Sequence, residues 1–103
     1  MKNPVEIENI EEMRRREGID DVELRMEIRA LRVGDLVKLT FITGPASFET
    51  LSVRITSMRG TAFRGKLASR PASSDLRKLG TATSIVFSAA HIHSLMKRQE
   101  AQR

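Results

Sequence analysis

Residues 51–67 read LSVRITSMRGTAFRGKL. Leu51, Val53 and Ile55 alternate with Ser52, Arg54 and Thr56, and Phe63, Gly65 and Leu67 alternate with Arg64 and Lys66. A period of two is the mark of a strand that buries one face. Arg59 and Gly60 supply a turn between the two runs, so the stretch is a β-hairpin. Its register decides which side chains share a face. A two-residue loop at Arg59-Gly60 pairs Ile55 with Arg64 and mixes core with solvent. A three-residue loop, Arg59-Gly60-Thr61, pairs Val53 with Leu67, Ile55 with Gly65 and Ser57 with Phe63. On the other face it pairs Arg54 with Lys66 and Thr56 with Arg64. This register keeps the faces apart and is the expected one. It sets Arg54 against Lys66, with Arg64 and Arg70 along the same outward side. Like charges directly opposite each other destabilise a sheet. An acid from the N-terminal segment, or an anionic partner, is the expected compensation. Gly65 reads as relief of crowding where the sheet coils.

The flanking segments extend this sheet. Before the hairpin, LRVGDLVKLTFIT has a Gly34-Asp35 turn. Val37, Leu39 and Phe41 then lie on one face, with Lys38 and Thr40 on the other. Residues 43–47 form a loop. After the hairpin, residues 73–84 are a connector holding one apolar pair, Leu76 and Leu79. SIVFS (84–88) is a further strand, and His91–Leu95 is a short strand or one helical turn. The N-terminal VEIENIEEMRRRE (5–17) predicts a helix: Pro4 suits a first turn, acids come early, Arg14 to Arg16 come late, and Gly18 can stop it. Residues 22–30, VELRMEIRA, satisfy both patterns. Their apolar residues alternate, yet Leu24, Ile28 and Leu31 share a helical face and the residue types favour helix.

The expected fold is therefore α+β: an N-terminal helix, then a small, mostly antiparallel, barrel-like sheet of four to six strands, of SH3 or OB size. One domain is expected over 1–96, with a helical segment at 1–20 and a β-rich body at 33–96. The polar tail at 97–103 is expected to fray.

The chain has 103 residues, which suits a single core. There is no cysteine, which excludes disulfides, thiolate metal sites and cysteine nucleophiles. No apolar run is long enough for a bilayer span and no leader pattern opens the chain, so a soluble cytoplasmic protein without a membrane partner is expected. The net charge of +5 is unevenly spread. Residues 1–35 hold 7 Lys/Arg and 10 Asp/Glu; residues 36–103 hold 11 and 3. An acidic front thus precedes a basic body, and basic bodies attract polyanions or acidic proteins.

The run ETLSVRITSMRGTAFRGKL, followed by Pro71, Leu76, Leu79-Gly80, Val86-Phe87 and Ile92, resembles the YegJ-type bacterial domain of unknown function. The resemblance covers roughly residues 33–95. It implies a small antiparallel, barrel-like sheet preceded by a helix, with no assigned activity. The chain departs from that pattern in three places. The family's aromatic after the opening acid is Thr50 or Leu51 here. Its Gly-Asp turn is Gly80-Thr81, with extra residues before the next strand. Its terminal Trp falls at Leu95 or Met96. The shared positions are hydrophobic and carry fold, not a site.

Chemistry is sparse. His91 and His93 are the only histidines and, on a strand, point the same way, so they are candidate ligands for one metal. A third ligand would have to come from Asp35, Glu49 or Asp75, and no motif groups these with the histidines. The structural alternative is that Ile92 anchors the strand end while both histidines stay wet. No serine sits in a nucleophile elbow and no phosphate loop occurs, so no enzyme and no cofactor are expected. The stronger signal is the basic face of Lys38, Arg54, Arg64, Lys66 and Arg70. It suits a nucleic-acid backbone read without sequence preference, or an acidic protein. Of the four Phe, only Phe48 is free of the core pattern and able to stack on a base. The expected function is a non-enzymatic binding or accessory module. The alternatives are a protein-interaction or homodimerisation module, using an edge strand such as 36–42 or the N-terminal helix, and a small metal-binding protein using His91 and His93.

Overall fold

The structure, a computed structural model, describes residues 6–18, 22–80 and 82–96. Residues 97–103, expected to be a tail, lie outside the described residues.

Five strands form one antiparallel sheet: β1 (Leu36–Gly44), β2 (Ser47–Arg59), β3 (Ala62–Leu67), β4 (Ile85–Ser88) and β5 (Ile92–Leu95). Their order across the sheet is β4-β3-β2-β1-β5. Two helices precede the sheet, α1 (Ile10–Arg16) and α2 (Val22–Arg29), and a short one, α3 (Ser74–Arg77), joins β3 to β4. The sheet curls into a half-barrel. The α+β expectation, with a small antiparallel barrel-like sheet, holds.

The curl is a matter of reach. β4 and β5 are the two outer strands, yet only Ala89–His91, one 3-10 turn, separates them in the chain. Four inter-strand gaps of about 4.8 Å would part the outer strands of a flat sheet by about 19 Å. Four Cα–Cα steps of 3.8 Å, fully extended, span at most about 15 Å. The sheet must therefore bend until the chain leaving β4 can step onto the far side of β1. β4 and β5 are antiparallel to β3 and β1 respectively and so run in the same sense. The chain crosses the gap without reversing.

The concave face holds the core. Val37, Leu39, Phe41, Leu51, Val53, Ile55, Phe63, Leu67, Ile85, Phe87 and Ile92 are all buried, joined by Leu31 and Leu76 from the connecting segments. Phe63 and Phe87, paired across β3 and β4, stack with centroids 5.3 Å apart and planes 9° from parallel. Such a pair contributes about 1 kcal/mol beyond its buried area. α1 lies against the 3-10 turn and α2 against β5. Ile10 and Leu24 are the buried anchors of the two helices. The Arg14 guanidinium donates to the His93 carbonyl at 3.1 Å, tying α1 to β5.

Three expectations need correction. The first helix begins at Ile10, not residue 5. Ile7 bridges Phe41, Glu8 N–H donates to Thr40 O at 2.9 Å, and Ile42 N–H donates to Glu6 O at 2.9 Å. The segment is extended because the upper half of β1 offers it hydrogen bonds. Asn9 then opens the helix, its side chain accepting from Glu12 N–H at 2.9 Å. Second, β1 is not an edge. β5 pairs with its first half and residues 6–8 with its second, so residues 36–42 have no free side for another chain. Third, the hairpin register is as expected at Val53–Leu67, Arg54–Lys66 and Ile55–Gly65, but not nearer the turn. There Ser57 faces Arg64, Met58 faces Phe63 and Arg59 faces Ala62. A bulge at Thr56 takes up one residue, and the loop shortens to Gly60-Thr61. Thr56 Oγ1 bonds the Arg64 carbonyl at 3.2 Å, a satisfied bulge. Residues 22–30, legible either way, are helical over Val22–Arg29.

Gly65 sits where β3 lies close against β2. A Cβ built there would stand 2.5 Å from Val53 Cγ1 and 2.6 Å from the Arg54 carbonyl oxygen. The second neighbour is backbone in the paired strand and cannot rotate away. Gly65→Ala is expected to lower unfolding stability by about 1–3 kcal/mol, read by urea denaturation. Adding Val53→Ala should not restore it, because the carbonyl contact remains.

Candidate anion-binding face

Alternation places Lys38, Arg54, Arg64 and Lys66 on the convex side of the sheet, opposite the buried Val37, Val53, Gly65 and Leu67. All four are exposed. Arg54 and Lys66 face each other directly, Arg64 is the next outward residue along β3, and Lys38 faces Ser52 on β2. Arg54 Nη1 donates to the Gly34 carbonyl at 3.0 Å, which fixes its guanidinium near the start of β1. The side chains of Lys38, Arg64 and Lys66 have no hydrogen bond or ion pair among the described residues. The expected acid from the N-terminal segment is not at Arg54; a backbone carbonyl is. Arg70 is also exposed, but it lies in the segment beyond the end of β3, ahead of the buried Pro71, and not on a strand.

The strands carry a single acid, Glu49. Its carboxylate is turned away from the convex face and accepts from Ala72 N–H at 2.6 Å and Ser73 N–H at 3.1 Å, holding the entry to α3. Asp35 accepts from Arg32 N–H at 2.9 Å and closes the turn before β1. Both acids have structural work. The convex side of the five strands is therefore basic around Lys38, Arg54, Arg64 and Lys66, while alternation about the Ile7–Phe41 bridge puts Glu6 and Glu8 on the same side, beside Ile42 and Thr40 at the other end of β1. Phe48 is 55% exposed on this same side, paired with Ile42 at the far end of β2. Met96 covers Ser52, whose hydroxyl donates to its sulfur.

The histidines sit at the link between β4 and β5. His91 ends the 3-10 turn, and its Nδ1 accepts from Ser88 N–H at 3.0 Å. That bond requires Nδ1 to be unprotonated, so the neutral ring carries its proton on Nε2. His93 lies at an irregularity in the β1–β5 pairing, with Nδ1 3.2 Å from Ser94 Oγ. The two rings are thus engaged with different hydroxyl neighbours. Among the described residues, no three His, Asp or Glu side chains gather to hold a metal. Asp35 and Glu49 are spent as above, and the Asp75 side chain lies outside the described residues.

A second cluster was not signalled by local sequence patterns. Arg14 and Arg15 of α1 and Arg25 and Arg29 of α2 rim a groove over the mouth of the half-barrel. The arginines of α1 read as complements to its helix dipole. Their meeting with those of α2 depends on how the helices dock. No helix among the described residues is long and apolar enough to cross a membrane. No family model, curated protein or solved structure matches the chain.

Burial pushes the His91 pKa below its ordinary 6.5. Charging the ring also removes the acceptor for Ser88 N–H. The unfolded chain therefore takes up the proton first as pH falls. Stability is full above about 6.5, declines as pH drops through the lower folded value, and levels off below it. Denaturation midpoints between pH 8 and pH 5 are expected to show this decline in the native chain. In His91→Gln the slope in that window should be shallower, with lower stability at pH 8 from the lost cap.

Proposed function

We propose that this protein is a non-catalytic binding module whose convex sheet face takes a nucleic-acid backbone without reading its sequence. The observation that carries this is the charge imbalance of one surface. Lys38, Arg54, Arg64 and Lys66 share it across three adjacent strands, the acid of those strands, Glu49, is committed to α3, and the acids of the N-terminal segment on this side, Glu6 and Glu8, stand away from this cluster beside Ile42 and Thr40. Holding Arg54 opposite Lys66 is costly in the free protein and becomes favourable when a polyanion lies over both. A phosphate backbone supplies closely spaced negative charge without requiring a pocket. Phe48 adds one exposed aromatic for a base to stack on, too few for a stacking platform. Kinship with the YegJ-type domain is a compatible proposal. It rests on the motifs between residues 33 and 95 and adds no activity.

Fluorescence anisotropy with a labelled single-stranded RNA tests this. With about four phosphates neutralised, log Kobs should fall against log salt with a slope of about −3. RNAs of different sequence should bind alike. The double variant Arg64→Gln/Lys66→Gln, at two exposed positions, should halve the slope. Binding that is insensitive to salt, or a slope unchanged in the double variant, would exclude the convex face as the site.

A further inference from the structure

The groove between α1, α2 and the β2–β3 turn is a different kind of site. It encloses about 790 Å³ among the described residues. Specific small-molecule sites have volumes of about 300–1,000 Å³. Its floor is apolar, made by Leu24 and Ile28 of α2 together with Phe63 and Ile92 from the sheet. Its rim is cationic. Among the described residues, the groove's lining holds four arginines, Arg14, Arg15, Arg25 and Arg29, and one acid, Glu11; Arg25 has a partner of its own. That acid is already paired, 3.6 Å from Arg15. Arg14 spends one N–H on the His93 carbonyl and keeps its other donors. The Arg29 side chain has no hydrogen bond or ion pair among the described residues.

An apolar floor beneath an arginine rim is complementary to one chemistry: a hydrocarbon body ending in an anion. Arginine presents a planar fork that matches a carboxylate and sheds water more readily than lysine. Met58, 39% exposed at the groove's edge, gives an adaptable wall for an unbranched chain. We propose that this groove binds a free carboxylate-headed acyl chain, with the chain along Ile28 and Met58 over the buried Leu24, Phe63 and Ile92, and the carboxylate at Arg29 and Arg14. The site lies on the concave side of the sheet and is independent of the nucleic-acid proposal for the convex side.

The test is an amide-resolved NMR titration of the full chain with octanoate, repeated with 1-octanol. Octanoate should give saturable shifts at Leu24, Ile28, Ala89, Ala90 and Ile92. The alcohol has the same chain and no charge, and should bind several-fold more weakly. Arg29→Gln, at an exposed position, should weaken octanoate about tenfold, equivalent to about 1.4 kcal/mol, while leaving the spectrum of the free protein folded. The proposal is overturned by the absence of saturable shifts, by equal affinity for acid and alcohol, or by an Arg29→Gln variant that binds as the native chain does. Shifts centred on Arg54 and Lys66 would equally overturn it, since they would make octanoate one more anion on the convex face.

Discussion

Ala89–His91 carry the chain from one outer strand of the sheet to the other in a single 3-10 turn. So short a link cannot bridge the width of a flat five-stranded sheet, and the curl of the half-barrel follows from that limit. Curling crowds the concave side, and at Gly65 it leaves no room for a side chain, because the neighbours there are the Val53 side chain and the Arg54 backbone. The link itself is held by the neutral His91 ring, which accepts from Ser88 N–H. A histidine that reads as a candidate metal ligand in the sequence thus has a structural role at the corner on which the curvature depends.

Curvature separates the two faces of the sheet. The concave face is filled with apolar side chains from every strand, and α1 and α2 lie at its open side. The convex face collects the basic side chains of β1, β2 and β3. Period-two alternation makes this division unavoidable once the core is fixed: whatever lies between Val53, Ile55, Gly65 and Leu67 must point outward. The two proposed sites inherit the division. A surface of like charges on a convex sheet suits an extended polyanion, whereas a walled groove over an apolar floor suits a single molecule.

Much of this was legible in residues 51–67. The pairs Val53–Leu67, Arg54–Lys66 and Ile55–Gly65 follow from the need to keep charge off the core side, and they place the basic face. The Thr56 bulge was not legible, because the requirement to separate faces is met equally by a longer loop or by an extra residue in one strand. Asn9, three residues before Glu12, is a capping signal in plain view, but Pro4 and the early acids point to an earlier start. What holds residues 6–8 extended is a tertiary partner, the half of β1 that β5 does not reach, and no local preference encodes it. Residues 22–30 turn on the same kind of fact. Their alternation and their helical face are both real, and burial of Leu24 with packing of Ile28 against the core decides for the helix. The arginine-rimmed groove belongs to this class too, since its two pairs of arginines meet only when α1 and α2 have docked.

The proposed surface for a polyanion is the convex face, not the concave mouth. The most direct measurement is an amide-resolved NMR titration with a short mixed-sequence single-stranded RNA at low salt, repeated at high salt. Shifts gathered around Lys38, Arg54, Arg64 and Lys66, and lost at high salt, are the predicted result. Shifts gathered instead at α1 and α2, or no shifts at low salt, would contradict it.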